Sequence, residues 1–141
     1  MGRVTHERLV ELALSARLKA YAPYSKYKVG AALLTEDGRV YTGCNVENSS
    51  YGITICAERT AVANAVGDGH RRFKAVAVVT ASSPPGPPCG ICRQTLAEFT
   101  PEMTVILANT RGEVRKTKLS KLYPDHFSAE FLESAKRKKR K

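Results

Sequence analysis

No stretch of the 141-residue sequence approaches the ~20 consecutive apolar residues that a bilayer-spanning helix needs. The opening, MGRVTHERLVEL, carries charges too early and too often for a secretory apolar region, so a cytoplasmic address is expected. Acidic residues are scarce. There are 13 Asp and Glu against 23 Lys and Arg, which gives a net charge of +10. Six of those positive charges stand in the final run KRKKRK, residues 136–141, and taking six from ten leaves +4 for the body. No aromatic interleaves that run, as single-strand binding requires. It reads as a solvated helix end whose cations complement the helix dipole, rather than as a contact for nucleic acid. No internal repeat and no break in composition marks a second domain. One domain over residues 1–135 followed by a basic tail, 136–141, is expected. Cysteine is also sparse: Cys44, Cys56, Cys89 and Cys92 only. In a reducing compartment four cysteines point to metal binding or catalysis before two disulfides.

What is present is a regular alternation of elements. Leu9, Leu12, Ala13 and Ala16 recur at helical spacing over residues 5–20, with Thr5 as cap and Pro23 as stop. KVGAALLT (28–35) and VYTGC (40–44) are strands joined by the turn EDGR. Residues 55–66 form a helix closed by Gly67. FKAVAVVT (73–80) and TVILAN (104–109) are apolar enough to be buried on both faces, and the proline-rich loop ASSPPGPP and a helix over 89–99 separate them. VRKTKL (114–119) alternates like an edge strand guarded by lysines. A short helix near 128–138 completes the chain. The expected fold is a three-layer α/β/α sandwich with a mixed five-stranded sheet. The last two strands must be antiparallel, because a parallel pair needs a crossover of a dozen or more residues and the link here has about four.

Cys56 opens one helix, and Cys89 and Cys92 open another. The electropositive helix N-termini favour thiolate at all three. Spacing i, i+3 puts Cys89 and Cys92 on one face of a first turn. Two co-directed strands leading into these helices would bring the three sulfurs together. A structural zinc takes four protein ligands, whereas a catalytic one takes three and keeps a place for water. No fourth Cys or His lies near either motif. Cys44 is read as a small buried residue, and His6, His70 and His126 as surface or packing residues. Glu58, two residues after Cys56, is placed to reach a metal-bound water without ligating the metal, as a proton shuttle must, although on its own an acid in a first turn reads as stabilising the helix N-terminus. Three thiolates on Zn²⁺ leave a net negative charge. Arg59 offsets it by donating to the sulfurs.

NVENSSYG, CAERTA and PCGICRQ resemble the zinc-dependent cytidine deaminases of pyrimidine salvage, in their small homotetrameric class. The likeness runs from YAPYSKYKVGAALL to LYPDHF. It implies a cytidine deaminase-like fold and the general chemistry of zinc nucleobase deaminases. Cys56, Cys89 and Cys92 bind zinc, water activated there attacks C4 of cytosine, and Glu58 carries the proton to N3 and then to the departing amino group. The product is uridine or deoxyuridine, and ammonia leaves. The resemblance also implies that the backbone at Ala57 and around Cys89 holds the base's polar edge, and that Asn45 and Glu47 bind the ribose hydroxyls. Tyr27, at a position usually held by phenylalanine, packs on the pyrimidine, and Phe127 reaches a neighbouring subunit's site. The expected partner is a free pyrimidine nucleoside, with no membrane.

Three rivals share parts of this pattern. A deaminase of RNA or DNA commonly has histidine as its first ligand and parallel final strands, neither of which fits Cys56 and the link NTRGE. A non-catalytic zinc module has no use for Glu58 and requires a fourth ligand. A deaminase for a nucleoside antibiotic does not require the ribose pair Asn45 and Glu47.

Overall fold

The computed structural model describes residues 3–139. Thr5 caps α1 (His6–Arg17), its side-chain oxygen accepting from the Arg8 amide at 3.0 Å. The helix stops at Arg17, short of residue 20 and well before Pro23. The next three amides close i→i−3 turns, and the Tyr21 amide donates to the Asn45 carbonyl at 3.0 Å. A tertiary hydrogen bond, not the proline, draws the chain out of the helix.

Strands β1 (Gly30–Thr35), β2 (Val40–Cys44), β3 (Phe73–Thr80), β4 (Thr104–Asn109) and β5 (Val114–Lys118) form one sheet in the order β2-β1-β3-β4-β5. Only β3 and β4 are parallel. The other three pairings, including β4 with β5, are antiparallel, as the short link requires. Lys28 and Val29 stand outside β1, because the Asn45 side chain takes the Val29 amide at 2.9 Å.

Alternation along the strands divides the core. Val76, Val78, Val105 and Leu107 face α2 (Ala57–Gly67) and α3 (Gly90–Phe99), whereas Ala75, Ala77, Val79, Ile106 and Ala108 face α1. Each fully buried Val, Leu or Phe contributes ~1.5–3 kcal/mol of transfer free energy. The helices approach closely at two glycines. A Cβ on Gly30 would lie 2.0 Å from the Ala13 carbonyl of α1, and one on Gly43 would lie 2.5 Å from the Ala57 carbonyl and the Ala61 amide of α2.

Gly67 is helical and does not cap α2. The capping glycine is Gly69, at φ +92°, two residues on. Its amide bonds the Val66 carbonyl and that of His70 bonds Ala65, the two bonds of a Schellman motif. Leu119, expected to end β5, instead begins α4 (Leu119–Leu122) and is fully buried. A 3₁₀ turn at Tyr51–Ile53 also escaped the pattern. Cys44 is half-buried rather than buried. α5 (Ala129–Lys139) is solvent-exposed from Ala129 to Arg137. It continues through the start of the basic run, whose last two residues lie outside the described ones.

Candidate active site and metal centre

β1 runs antiparallel to both β2 and β3, so β2 and β3 point the same way with β1 between them. α2 follows the first and α3 the second, and both helices therefore start at one edge of the sheet. Cys56 is the N-cap of α2 and Cys89 the N-cap of α3. Neither side chain caps its own helix. The isolated bridge between Val46 and Ile55 pins the approach to Cys56.

The Sγ atoms of Cys56 and Cys89 are 3.8 Å apart and those of Cys89 and Cys92 are 3.6 Å apart. All three lie within 4.8 Å of one another. Sulfurs at ~2.3 Å on a tetrahedral ion stand ~3.8 Å apart, so the trio fits such an ion. Among the described residues no other Cys, His, Asp or Glu joins the cluster, which leaves one vertex for water. The neighbouring Cys92 sulfur, together with Arg59 and Cys89, holds the Cys56 thiol down at about 5. Cys92 is pushed up by its contact with Cys56 and by burial. The two shifts are halves of one coupled site. Arg59 faces Cys56, so its charge favours thiolate at that sulfur.

Arg59 donates through Nη2 to the Thr54 carbonyl at 3.0 Å, and the same nitrogen is 4.0 Å from Cys56 Sγ. Its Nε is the only buried side-chain nitrogen or oxygen without a partner among the described residues. Such an orphan points to a charge requirement met by something other than a conventional acceptor. The same guanidinium lies beside the Cys56 sulfur.

Glu58 is only 4% exposed. Burial, reinforced by the Cys56 thiolate, pushes its carboxyl up to about 7. A group that is half-protonated near neutral pH gives and takes protons most effectively there.

Cys56, Cys89, Glu58, Ala57, Asn45, Glu47 and Tyr27 line one pocket of about 260 Å³. That is slightly below the ~300–1,000 Å³ of most small-molecule sites and suits a small ligand. The sequence reading places these seven residues together, and so does the structure. Phe127 does not line this pocket. It is exposed and stacks on Phe131, with ring centroids 5.7 Å apart. A larger cavity of about 710 Å³ lies at the opposite end of the sheet, by Thr5, Lys74 and Thr104, and among the described residues no three potential ligands converge there at metal-binding spacing.

Asn45 and Glu47 do more than line the pocket. Glu47 accepts from the Tyr24 and Ser25 amides at 2.9 and 3.1 Å and from the Ser25 hydroxyl. The Ser25 hydroxyl and these amides hold its carboxyl below the usual range. Asn45 accepts from the Val29 amide and donates to the Tyr27 carbonyl at 2.8 Å. Both therefore brace the segment that presents Tyr27. The Tyr27 hydroxyl meets Ser82 Oγ at 3.2 Å, and Ser82 in turn meets Thr80 Oγ1 at 2.9 Å. Ser25, Thr80 and Ser82 escaped the sequence reading, because isolated hydroxyls in loops carry no periodic or spacing signal.

A family model described as the cytidine and deoxycytidylate deaminase zinc-binding region matches residues 3–108. The cytidine deaminase of Sporosarcina psychrophila is 53% identical over 130 residues, covering 92% of this chain and 96% of that protein. The cytidine deaminase of Halalkalibacterium halodurans is 49% identical over 127 residues, 89% of this chain and 96% of that protein. The crystal structure of cytidine deaminase from Burkholderia pseudomallei superposes with a TM-score of 0.85 at 53% identity, over 87% of this chain and 99% of that one. With three sulfurs at zinc spacing and a zinc-binding region matched over most of its length, the chain belongs to the family of zinc-dependent cytidine and deoxycytidylate deaminases.

Proposed function

We propose that the protein hydrolyses free cytidine and deoxycytidine to uridine and deoxyuridine, consuming one water and releasing one ammonia. The observation that carries this is the buried Glu58 carboxyl, titrating near neutral pH beside three sulfurs that leave one metal vertex open. Zinc held by Cys56, Cys89 and Cys92 supplies a Lewis acid that makes water nucleophilic at neutral pH.

The chain's own residues do the rest. Glu58 accepts the proton that water gives up, passes it to ring N3, and later supplies one to the amino group that leaves C4. Its burial keeps bulk water from taking over that role. The backbone at Ala57 and near Cys89 holds the base's polar edge, and the Tyr27 ring packs against the pyrimidine. Glu47 and Asn45 have hydrogen-bonding capacity left after bracing residues 24–29, and they take the ribose hydroxyls. Arg59 draws charge from Cys56 and so limits how far three thiolates blunt the metal.

A homotetramer is proposed, with Phe127 completing a neighbour's site. The exposed Tyr51, Ile91, Phe127, Phe131 and Leu132 support it, since such side chains are commonly covered in an assembly. A place in cytoplasmic pyrimidine salvage follows from free nucleosides as substrates. No helix among the described residues is long and apolar enough to cross a membrane. The catalytic domain is assigned to residues 1–135 and a solvated tail to 136–141. A polymer-directed deaminase is disfavoured by the small pocket and by antiparallel β4 and β5.

The test is an absorbance assay on cytidine, single-stranded DNA and single-stranded RNA, with metal measured on the same sample. About one zinc per chain and turnover of the free nucleoside are expected. Turnover confined to polymer, or a chain without metal, refutes the reading.

A further inference from the structure

Two residues directly after Cys92 form a hydrogen-bonded brace that the chemistry above does not use. Arg93 donates through Nε to the Pro88 carbonyl at 2.8 Å and through Nη1 to the Leu122 carbonyl at 2.7 Å. Pro88 immediately precedes the ligand Cys89, and Leu122 is the last residue of α4. Gln94 continues the pattern. Its Nε2 donates to the Phe127 carbonyl at 2.9 Å, and its Oε1 accepts from the Tyr123 hydroxyl at 2.7 Å. Four short bonds thus tie the metal-ligand loop and the first turns of α3 to residues 122–127. The foot of that segment is fixed separately: Leu119 is fully buried, and its amide donates to Met103 at 2.9 Å.

The choice of side chains is specific. A guanidinium offers several donors in a rigid plane and holds two carbonyls at once, whereas an ammonium is a point charge on a flexible stem. The Leu122 carbonyl is one that a helix end leaves unsatisfied, and Arg93 supplies its partner. Arg93 is bonded to the Pro88 and Leu122 carbonyls, while Arg59, besides its bond to the Thr54 carbonyl, faces the Cys56 sulfur. The two arginines therefore have separable tasks, charge balance for one and placement for the other.

We propose that Arg93 and Gln94 are positioning residues that join the sulfur cluster to the segment 122–127, so that retention of zinc depends on how that segment is seated. This rests on the zinc reading of the cluster. Groups that orient metal ligands from outside the coordination sphere typically change metal affinity by ~10–100-fold when altered. Coupling between two sites is also reciprocal, so removal of the metal must in turn loosen the segment.

The experiment uses full-length zinc-loaded protein and a chromogenic zinc chelator. Arg93→Lys, which keeps the charge and loses the two-carbonyl span, is expected to release zinc about tenfold faster than the parent. Gln94→Ala and Tyr123→Phe are expected to release it several-fold faster. Ile106→Val, in the core on the α1 side, lowers thermal stability without touching the brace and should release zinc at the parental rate. Release from Arg93→Lys at the parental rate, or acceleration by Ile106→Val matching it at equal loss of melting temperature, overturns the proposal. The parent chain provides the second measurement. Stripping its zinc should raise amide hydrogen exchange across residues 119–127 about fivefold or more and leave α1 unchanged. Unchanged exchange in that segment also overturns it. A parent chain that never holds zinc would instead refute the functional reading.

Discussion

Glu58 shows how far one side chain's role depends on where it is buried. The same carboxylate on an exposed first turn would contribute ~0.3–1 kcal/mol to the helix and no chemistry. Enclosed beside a thiolate, it titrates near 7. Glu58→Gln should retain zinc and lose at least ~10²–10⁴ in kcat, the range for general acid–base catalysis. A zinc-replete variant with parental kcat would remove Glu58 from the reaction. Glu47 runs the other way. Its folded pKa lies below the unfolded value of 4.5, held there by the Ser25 hydroxyl and two amides. Its contribution to stability is therefore complete above about pH 4.5 and is lost as pH falls through the lower folded value. In urea unfolding followed from pH 6 to pH 3, Glu47→Gln should show a shallower decline than the parent. The meeting of the three sulfurs and the place of Glu58 beside them were legible because the cysteine and glutamate spacing is itself the chemical requirement. Arg93 was not, since its partners are backbone carbonyls, which any sequence supplies.

Among the elements, β2, β3 and β4 match the sequence reading to the residue, because each is an apolar or alternating run between strong turn signals. Helix ends were less legible. α1 is released by the bond from Tyr21 to Asn45, a contact 24 residues apart in sequence, and α2 ends through Gly69 after passing Gly67. With four residues, α4 offers no periodicity to detect. The contact of α2 with β2 gives a prediction at this scale. Gly43→Ala would drive a methyl to within 2.5 Å of the Ala57 carbonyl and the Ala61 amide. Relief requires α2 to shift, and its N-cap is Cys56. Overpacking of this kind costs ~1–3 kcal/mol. Calorimetry should show a lower melting temperature, and the chelator assay faster zinc loss. Normal values for both would show that the helix yields without disturbing the metal.

For the molecule as a whole, charge and chemistry are set apart. The basic run that dominates the net charge lies at the end of α5, and the pocket is built by residues 25 to 89. Deleting residues 136–141 should leave kcat/KM for cytidine within about twofold and lower the isoelectric point. A loss of an order of magnitude would give the tail a part in turnover. Phe127→Ala should raise KM for cytidine more than it alters the fold, and sedimentation of the parent and the variant would test the proposed tetramer. The two faces of the sheet are equally unlike. Every sulfur and carboxylate of the site is carried by the side bearing α2 and α3 or by the edge where they begin, while α1 covers the other side alone. Its outward surface, around the exposed Arg8–Glu11 ion pair, carries none of the residues that line the pocket. A dye or a solid support coupled through that surface would stand clear of the reaction, which makes it the natural point of attachment for an immobilised catalyst.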